Sequence, residues 1–172
     1  LGAYLASEYN FLFVSVTDLL RNEAKKRGLP VEREHLRDIS AQWRRESGLG
    51  VLVEKAVELY KQEGGDVAYS GLIMASLRNP GEADYVHELG GKMIWVDADP
   101  KVRYQRITSA NRGRGEEDNK TYEQFLAEQE AEMRHSGDAA SLSIADVKDR
   151  CDIFIDNNSN DITAFYEIVK KA

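Results

Sequence analysis

The sequence predicts an α/β domain in which a mostly parallel sheet is covered by helices on both faces. Short apolar runs such as Phe11–Val14 and Lys92–Val96 have the length and composition of buried strands. Amphipathic segments with helix start and stop signals separate these runs. This alternation is typical of parallel sheets, because parallel strands need a long crossover connection, which is usually a helix.

The first half of the chain contains two predicted strands and four predicted helices. Glycines end three of these helices, as expected for residues that adopt a left-handed C-terminal conformation, and Pro30 follows the first such end. The elements are helix Leu1–Glu8, strand Phe11–Val14, helix Asp18–Arg27 capped by Thr17 and ended by Gly28, helix Glu32–Glu46 ended by Gly48, helix Val51–Glu63 ended by Gly64-Gly65, and strand Asp66–Ala75.

The second half continues the same alternation. Proline is tolerated in a first helical turn, and Thr121-x-x-Gln124 has the pattern of a capping box. The elements are a helix opened by Asn79-Pro80 and closed by Gly90-Gly91, strand Lys92–Val96, helix Pro100 to about Ala110, a polar loop, a helix from Thr121 to about Arg134, helix Ser143–Arg150, strand Asp152–Ile155 and a terminal helix.

Composition narrows the class of protein. A chain of 172 residues with 42% hydrophobic content supports one sizeable core, so we expect a single domain spanning residues 1–172. The net charge of −7 argues against broad nucleic-acid binding. No apolar run approaches the roughly 18 residues of a membrane helix, and no signal-peptide pattern is present, so no membrane partner is expected. The lone Cys151 excludes an intrachain disulfide and fits a reducing, cytoplasmic location. Oligomeric state stays open.

The stretch from Met93 to Arg106 carries the strongest functional signal. A short apolar strand ends at Asp97, and a helix then begins near Pro100. Arg103 and Arg106 lie three residues apart and therefore share one helix face. Arg112 and Arg114 follow in a glycine-containing loop, in the segment SANRGRGEE. Four guanidinium groups that converge in this way would bind a polyphosphate.

Polar side chains also follow the predicted strands. Ligands of parallel α/β sheets bind at the carboxyl ends of the strands, which lie at one edge. The residues placed there are Ser15, Thr17 and Asp18 after the first strand, Ser76 and Arg78 after the second, and Asp97 and Asp99 after the third. The histidines have no metal-ligand spacing, so no metal site is identified directly, although Asp97 would be a possible ligand.

Three runs together resemble the P-loop nucleoside monophosphate kinase superfamily, especially adenylate kinase-like and dephospho-coenzyme A kinase-like proteins. They are FVSVTDLLR (residues 13–21), SLRNPGE (residues 76–82) and VDADPKVRYQRI (residues 96–107). The resemblance covers nearly the whole chain. It implies a P-loop NTPase-like three-layer sandwich with a small lid. It also implies ATP with Mg²⁺ and a nucleotide or nucleotide-like acceptor as partners.

The resemblance assigns roles to particular residues. The acceptor-binding helical region would span about residues 17–64, and the lid about residues 108–121. Four arginines of the lid segment would close over the transferring phosphoryl group, namely Arg103, Arg106, Arg112 and Arg114. Asn157 and Asn158 would approach the donor adenine. The implied acceptor contacts are Ser15, Thr17, Asp18, Arg21, Ser76, Arg78 and Glu82.

Two departures from the family pattern matter. No segment matches G-x-x-x-x-G-K-[ST], the loop that cradles the donor phosphates. Since Leu1–Glu8 resembles the helix that follows this loop, we expect the first strand and the loop to lie upstream, with true loss as the alternative. A sheet without its central strand would leave two buried edges unpaired. Ala75 also stands where relatives often carry an aspartate that assists the metal, a role that Asp97 or Asp99 would then take.

The sequence therefore favours an ATP-dependent nucleotide kinase. Phosphoryl transfer needs mainly alignment and charge neutralisation, which arginines provide at any cellular pH. A nucleoside monophosphate is the favoured acceptor, and the ribose hydroxyl of dephospho-coenzyme A is the alternative. A non-catalytic nucleotide-binding or regulatory module remains the hypothesis from another class of protein.

Overall fold

The computed structural model describes residues 1–109, 120–133 and 137–171. Helices and short strands alternate along the chain, as the sequence predicts. In order, the elements are α1 (Gly2–Tyr9), β1 (Phe11–Ser15), α2 (Val16–Lys26), α3 (Arg33–Ser47), α4 (Val51–Gln62), α5 (Gly65–Ala68), β2 (Gly71–Ala75), α6 (Pro80–Glu88), β3 (Ile94–Asp97), α7 (Pro100–Ser109), α8 (Tyr122–Met133), α9 (Ile144–Lys148), β4 (Ile153–Asp156) and α10 (Ile162–Lys171).

The described strands form two parallel pairs. β1 pairs with β2 in the register Phe11 to Gly71 and Ser15 to Ala75. β3 pairs with β4, with Asp97 opposite Asp156 at the carboxyl end. The crossovers between paired strands are helical, because parallel strands cannot be joined by a tight turn. The prediction of an α/β fold with parallel strands is confirmed.

Local sequence signals explain the starts of two helices, α6 and α8. The side chain of Asn79 accepts a hydrogen bond from Gly81 N at 2.9 Å and, with Glu82, forms a capping box at the start of α6. The capping box predicted at α8 is confirmed, since Thr121 N donates to Gln124 Oε1 at 2.9 Å and Gln124 N donates to Thr121 Oγ1 at 3.2 Å.

The predicted starts of α2 and β2 were wrong. Helix α2 begins at Val16, with Ser15 rather than Thr17 at the cap position, because Val16 is buried in the helical core and draws the first turn inward. The strand predicted over Asp66–Ala75 is shorter. Residues Gly65–Ala68 form a helical turn instead, which the left-handed backbone of Gly64 introduces at φ 108°.

Three hydrophobic clusters hold the elements together. The first joins α2, α3 and α4 through Leu20, Ile39 and Leu52. The second joins α4, α6 and α9, and the third joins β4, α10 and α1. Each large aliphatic side chain buried in this way contributes roughly 1.5–3 kcal/mol. The first cluster fixes how α2 and α3 lie beside the ends of β1 and β2.

A cleft of about 1120 Å³ separates the two strand pairs. Residues 72–75 of β2, Ser76 just after it, and residues 94–96 of β3 line it. Within the described parts of the chain, β2 pairs with β1 alone and β3 with β4 alone. The backbone edges of β2 and β3 that face the cleft therefore have no strand partner there. Among these residues, no helix is both long enough and apolar enough to cross a membrane.

Candidate functional site

A second cavity, of about 800 Å³, lies where β1 and β2 end. Ser15 ends β1, Ser76 follows β2, and α2 and α3 contribute the adjoining wall. Among the described residues, five arginines line this cavity, whereas Glu32 is the single acidic residue in its lining. They are Arg21, Arg33, Arg37, Arg44 and Arg78. These guanidinium groups suit the cavity to a small polyanion, which would compete with the carboxylates of Asp18, Glu82 and Glu132 that pair with them. We call it the arginine cavity.

The structure brings most of the predicted acceptor residues to the arginine cavity. Ser15, Thr17, Arg21, Ser76 and Arg78 all line it, although they come from two separate segments of the chain. The carboxyl ends of parallel strands meet at one edge, which is why these segments converge. Asp18 is exposed beside them and forms an ion pair with Arg21 at 2.8 Å.

Ser76 lies at the junction of the two cavities. It lines both the arginine cavity and the cleft between the strand pairs. Its φ of 71° is in the left-handed region, which costs a non-glycine residue about 1–3 kcal/mol. Residues held in such conformations concentrate at functional sites, because the surrounding structure must impose them. A ligand group passing between the two cavities would pass Ser76.

A buried ion pair supports the wall of the arginine cavity. Arg44 Nη2 lies 2.6 Å from Glu82 Oε1, and the two side chains are 2% and 0% exposed. The other carboxylate oxygen, Oε2, accepts hydrogen bonds from Arg78 N at 2.8 Å and Asn79 N at 3.1 Å. Glu82 therefore does not line the cavity, although the sequence grouped it with the acceptor contacts. It positions the backbone of Arg78 instead.

Asn79 fastens a distant loop to the same wall. Its side chain is fully buried, and its Nδ2 donates to Ala139 O and Ser141 O, both at 2.8 Å. Arg44 Nη1 donates to the neighbouring Ala140 O at 3.0 Å. The loop before α9 is thereby held against α3 and α6, so the cavity wall is stabilised by groups far apart in sequence.

Asp97, at the end of β3, is surrounded by donors and cations. Partial burial opposes its ionisation, but hydrogen bonds from Trp95 Nε1 and Ala98 N outweigh it. With the charges of Arg103 and Lys148, at 3.5 and 3.8 Å, they hold the pKa of Asp97 below its usual range. The carboxylate is therefore ionised at neutral pH and already engaged by protein groups.

Of the arginines predicted to act on the transferring phosphoryl group, the two that the structure describes, Arg103 and Arg106, do not line the arginine cavity. Arg103 pairs with Asp97, and its buried Nε has no hydrogen-bond partner among the described residues. Arg106 donates to Asn157 O at 2.7 Å and Ser159 O at 2.6 Å, so it binds the backbone of the loop after β4. Arg112 and Arg114, like most of the predicted lid, lie outside the described residues.

The two asparagines predicted to contact the donor adenine lie beside the cleft. Asn157 lines it, and its backbone N donates to Asp97 O at 2.7 Å. Asn158 Oδ1 accepts from Asp99 N at 2.6 Å. The loops after β3 and β4 are thus joined by hydrogen bonds, and both border the carboxyl edge of the second strand pair.

The described residues do not fit a metal ion held by the protein. They contain no group of three or more histidine, cysteine, aspartate or glutamate side chains placed to bind one. The oxygens of Asp97 are occupied by Trp95 and Ala98, and two cations face them, which opposes a divalent ion.

Sequence reasoning missed three arginines of the site. Arg33, Arg37 and Arg44 are absent from the ligand contacts that the sequence predicts. A signal was nevertheless present. Arg33, Arg37, Ser40 and Arg44 recur at i, i+4, i+7 and i+11, which is one face of a helix. That polar face borders the apolar face of Leu36, Ile39 and Trp43, which packs in the core.

Comparison with known proteins places the chain in a family. Residues 1–123 match a family described as an AAA domain. A UPF0200 protein of Pyrococcus abyssi is 30% identical over 141 residues, covering 77% of this chain and 70% of that protein. A UPF0200 protein of Pyrococcus horikoshii is 30% identical over 138 residues, with the same coverage of each. One of Pyrobaculum aerophilum is 28% identical over 172 residues, covering 98% of this chain and 86% of that protein.

These similarities agree with the architecture. The family match covers the two parallel-strand segments β1 and β2 and the helices that line the arginine cavity. It also covers β3 and α7, where Asp97 and Arg103 lie. The chain therefore belongs to the AAA-domain family of P-loop NTPases, and the UPF0200 proteins are its relatives.

Proposed function

We propose that this protein transfers the γ-phosphoryl group of ATP to a nucleoside monophosphate or a similar nucleotide acceptor. The observation that carries the proposal is the arginine cavity at the ends of β1 and β2. A nucleotide acceptor brings a phosphate group to such a site, and guanidinium groups bind phosphate oxygens in pairs with fixed geometry. Arg21 and Arg78 contact the acceptor phosphate, and Ser15, Thr17 and Ser76 provide polar contacts nearby.

The donor side of the reaction lies toward the cleft. ATP carries Mg²⁺, which neutralises phosphate charge during transfer. Asn157 and Asn158 lie beside the adenine, and Arg103, Arg112 and Arg114 act on the transferring group. Arg106 holds the loop of Asn157 against α7, as its bonds to Asn157 O and Ser159 O indicate. A strand placed in the cleft would pair with both free edges, so a phosphate-binding loop at the end of that strand would face Ser76.

Alignment explains how such a site accelerates transfer. Phosphoryl transfer requires little covalent help from the protein, and holding two substrates in line removes much of the entropic barrier. Ser76 borders both cavities, so it marks where an acceptor in one would meet a donor in the other. The guanidinium groups of Arg21 and Arg78 keep the acceptor phosphate oriented toward that point.

The test is a coupled ADP-release assay on protein expressed from its complete reading frame. ATP and Mg²⁺ are supplied with AMP, CMP, UMP, GMP, their deoxy forms or dephospho-coenzyme A. ADP release that depends on one acceptor supports the kinase and identifies that acceptor. Acceptor-independent or absent release by folded protein contradicts it, and supports a non-catalytic nucleotide-binding module.

The Arg78→Ala variant tests the acceptor site within the same assay. Losing a hydrogen bond to a charged group should lower kcat/KM for the acceptor by about ten- to a hundredfold. Arg150→Ala is the matched control, because it removes an arginine of similar exposure that pairs with Asp84 away from the cavity. Equal kcat/KM values in the two variants would show that Arg78 does not contact the acceptor.

A further inference from the structure

Glu132, near the end of α8, lies among three arginines of the arginine cavity. Its Oε1 is 2.9 Å from Arg33 Nη1 and 3.5 Å from Arg37 Nη2. Its Oε2 is 3.5 Å from Arg78 Nη1. The carboxylate is 17% exposed, whereas the arginine side chains are 38–49% exposed. One carboxylate from a helix distant in sequence thus meets guanidinium groups from α3 and from the loop after β2.

We propose that Arg33, Arg37 and Arg78 form a phosphate-binding site, and that Glu132 is the resident anion that a phosphate group displaces. The charges of these groups favour exchange of the carboxylate for a phosphate. Three guanidinium groups meet two carboxylates, Glu132 and, at 3.9 Å from Arg33 Nη1, Glu128. A phosphate dianion offers three terminal oxygens against the two of a carboxylate. The contacts of Glu132 to Arg37 and Arg78 are long, at 3.5 Å, so the carboxylate satisfies these two arginines incompletely.

The arrangement has a consequence for α8. Glu132 is anchored on α3 and on the loop of Arg78, so the end of α8 is attached to the acceptor site while the carboxylate is in place. A bound phosphate removes that attachment. Occupancy of the site by ligand and the position of α8 are therefore linked, because the same arginines cannot serve both anions fully.

Part of this inference rests on the proposed function. The identification of the anion as the phosphate group of a nucleotide acceptor depends on it, whereas the existence of an anion site that competes with Glu132 does not. Inorganic phosphate is accordingly the probe, because its binding requires neither ATP nor turnover.

The experiment is a titration of inorganic phosphate followed by nuclear magnetic resonance of the backbone amides and the arginine side chains. In Glu132→Gln, phosphate should bind about tenfold more tightly than in the unmodified protein, the effect expected when a competitor held by a few partly exposed ion pairs is removed. The perturbed signals should include Arg33, Arg37 and Arg78. Glu123→Gln is the matched control, because it removes the same charge from the first turn of α8.

Arg37→Ala provides an independent measurement. It should weaken phosphate binding both in the otherwise unmodified protein and in combination with Glu132→Gln, and the amide spectrum establishes that each variant is folded. The inference is overturned if the unmodified protein and Glu132→Gln bind phosphate with the same affinity, or if the perturbed signals lie away from the three arginines. Tighter phosphate binding without ADP release would support this site while contradicting the kinase. ADP release with phosphate affinity indifferent to Glu132 would contradict this site alone.

Discussion

Arg44 connects three parts of the arginine cavity wall. It donates to Glu82 from α6, to Ser40 on its own helix and to Ala140 O in the loop before α9. Both charges of the ion pair are out of water, so neither is stable without the other. The stability of the wall therefore depends on the pair as a unit.

The Arg44→Ala variant should lower the free energy of unfolding by about 3–5 kcal/mol, because it leaves Glu82 buried without its counter-charge. Urea denaturation followed by circular dichroism measures this change. Arg45→Ala is the control, since Arg45 is 58% exposed and pairs with Asp138 at the surface. Its removal should leave the denaturation midpoint nearly unchanged. Equal effects of the two substitutions would show that Arg44 is solvated in solution.

The adjacent residues Arg44 and Arg45 differ in burial, although the sequence does not distinguish them. Arg44 and Arg45 have the same chemistry and the same apparent place in the sequence, yet one is buried and the other exposed. Successive residues of an α-helix point about 100° apart, so one side chain faces α6 while the next faces solvent. Which of the two faces inward depends on how α3 packs, and that packing involves Leu52 and other residues outside α3.

Among the elements, Asp152 fastens the start of β3 to the end of α6. It accepts hydrogen bonds from Met93 N at 2.8 Å, His87 Nε2 at 3.0 Å and Lys92 Nζ at 3.4 Å. The backbone bond from Met93 and the bond from His87 lower the pKa of Asp152 from 3.8 to about 2. The ionised form is therefore favoured by folding.

This shift predicts how the contribution of Asp152 depends on pH. Its folded pKa lies below its unfolded value, so the contribution is fully present above about pH 4 and is lost as pH falls toward 2. Below pH 4 the unfolded chain binds a proton that the folded chain does not. The difference in unfolding free energy between unmodified protein and Asp152→Asn should therefore be largest near neutral pH and shrink with acidification.

Urea denaturation at a series of pH values measures that difference. The exposed residue Asp149 supplies the control, since Asp149→Asn removes a carboxylate three residues earlier without touching β3. A difference between unmodified protein and Asp152→Asn that stays constant from neutral pH to about pH 2 would contradict the assignment of the low pKa to Asp152.

Element boundaries were predictable where the signal is local. The capping boxes at α6 and α8 depend on residues within three positions of each other, and they form as their sequences indicate. Thr17 has an equally good capping side chain, but Val16 enters the core and moves the start of α2. Burial of an apolar side chain outweighs a cap, which is worth about 1 kcal/mol.

In the molecule as a whole, the two strand pairs face each other across the cleft. The backbone groups along the facing edges of β2 and β3 have no strand partner in the described residues. Amides without a stable partner exchange with solvent more readily than those of a hydrogen-bonded ladder.

Native-state hydrogen exchange of the 172-residue chain should therefore separate two classes of strand amide. Amides of β2 and β3 that point into the cleft should exchange faster than the amides shared between β1 and β2 in the register Phe11 to Gly71. Nuclear magnetic resonance resolves the individual amides. Equal protection of both classes would show that the facing edges are paired in solution.

The arrangement of the sites follows from this architecture. The arginine cavity belongs to the first strand pair, Asp97 and Asn157 belong to the second, and Ser76 borders both cavities. Most of the predicted acceptor residues came together because they follow parallel strands, whereas Glu82 is buried behind the cavity wall. Arg106 did not join them, since it binds the loop after β4.

The sequence alone was sufficient for the α/β class, for the order of the elements apart from α5, and for the gathering of Ser15, Arg21, Ser76 and Arg78 at one edge. These three features follow from local hydrophobic periodicity and from the geometry of parallel strands, and short segments of sequence are enough to specify both. The tertiary structure was needed to bury Arg44 against Glu82 and to place Glu132 among Arg33, Arg37 and Arg78. Those contacts join side chains 38 to 99 positions apart. Their formation depends on how whole helices pack, which no local pattern specifies.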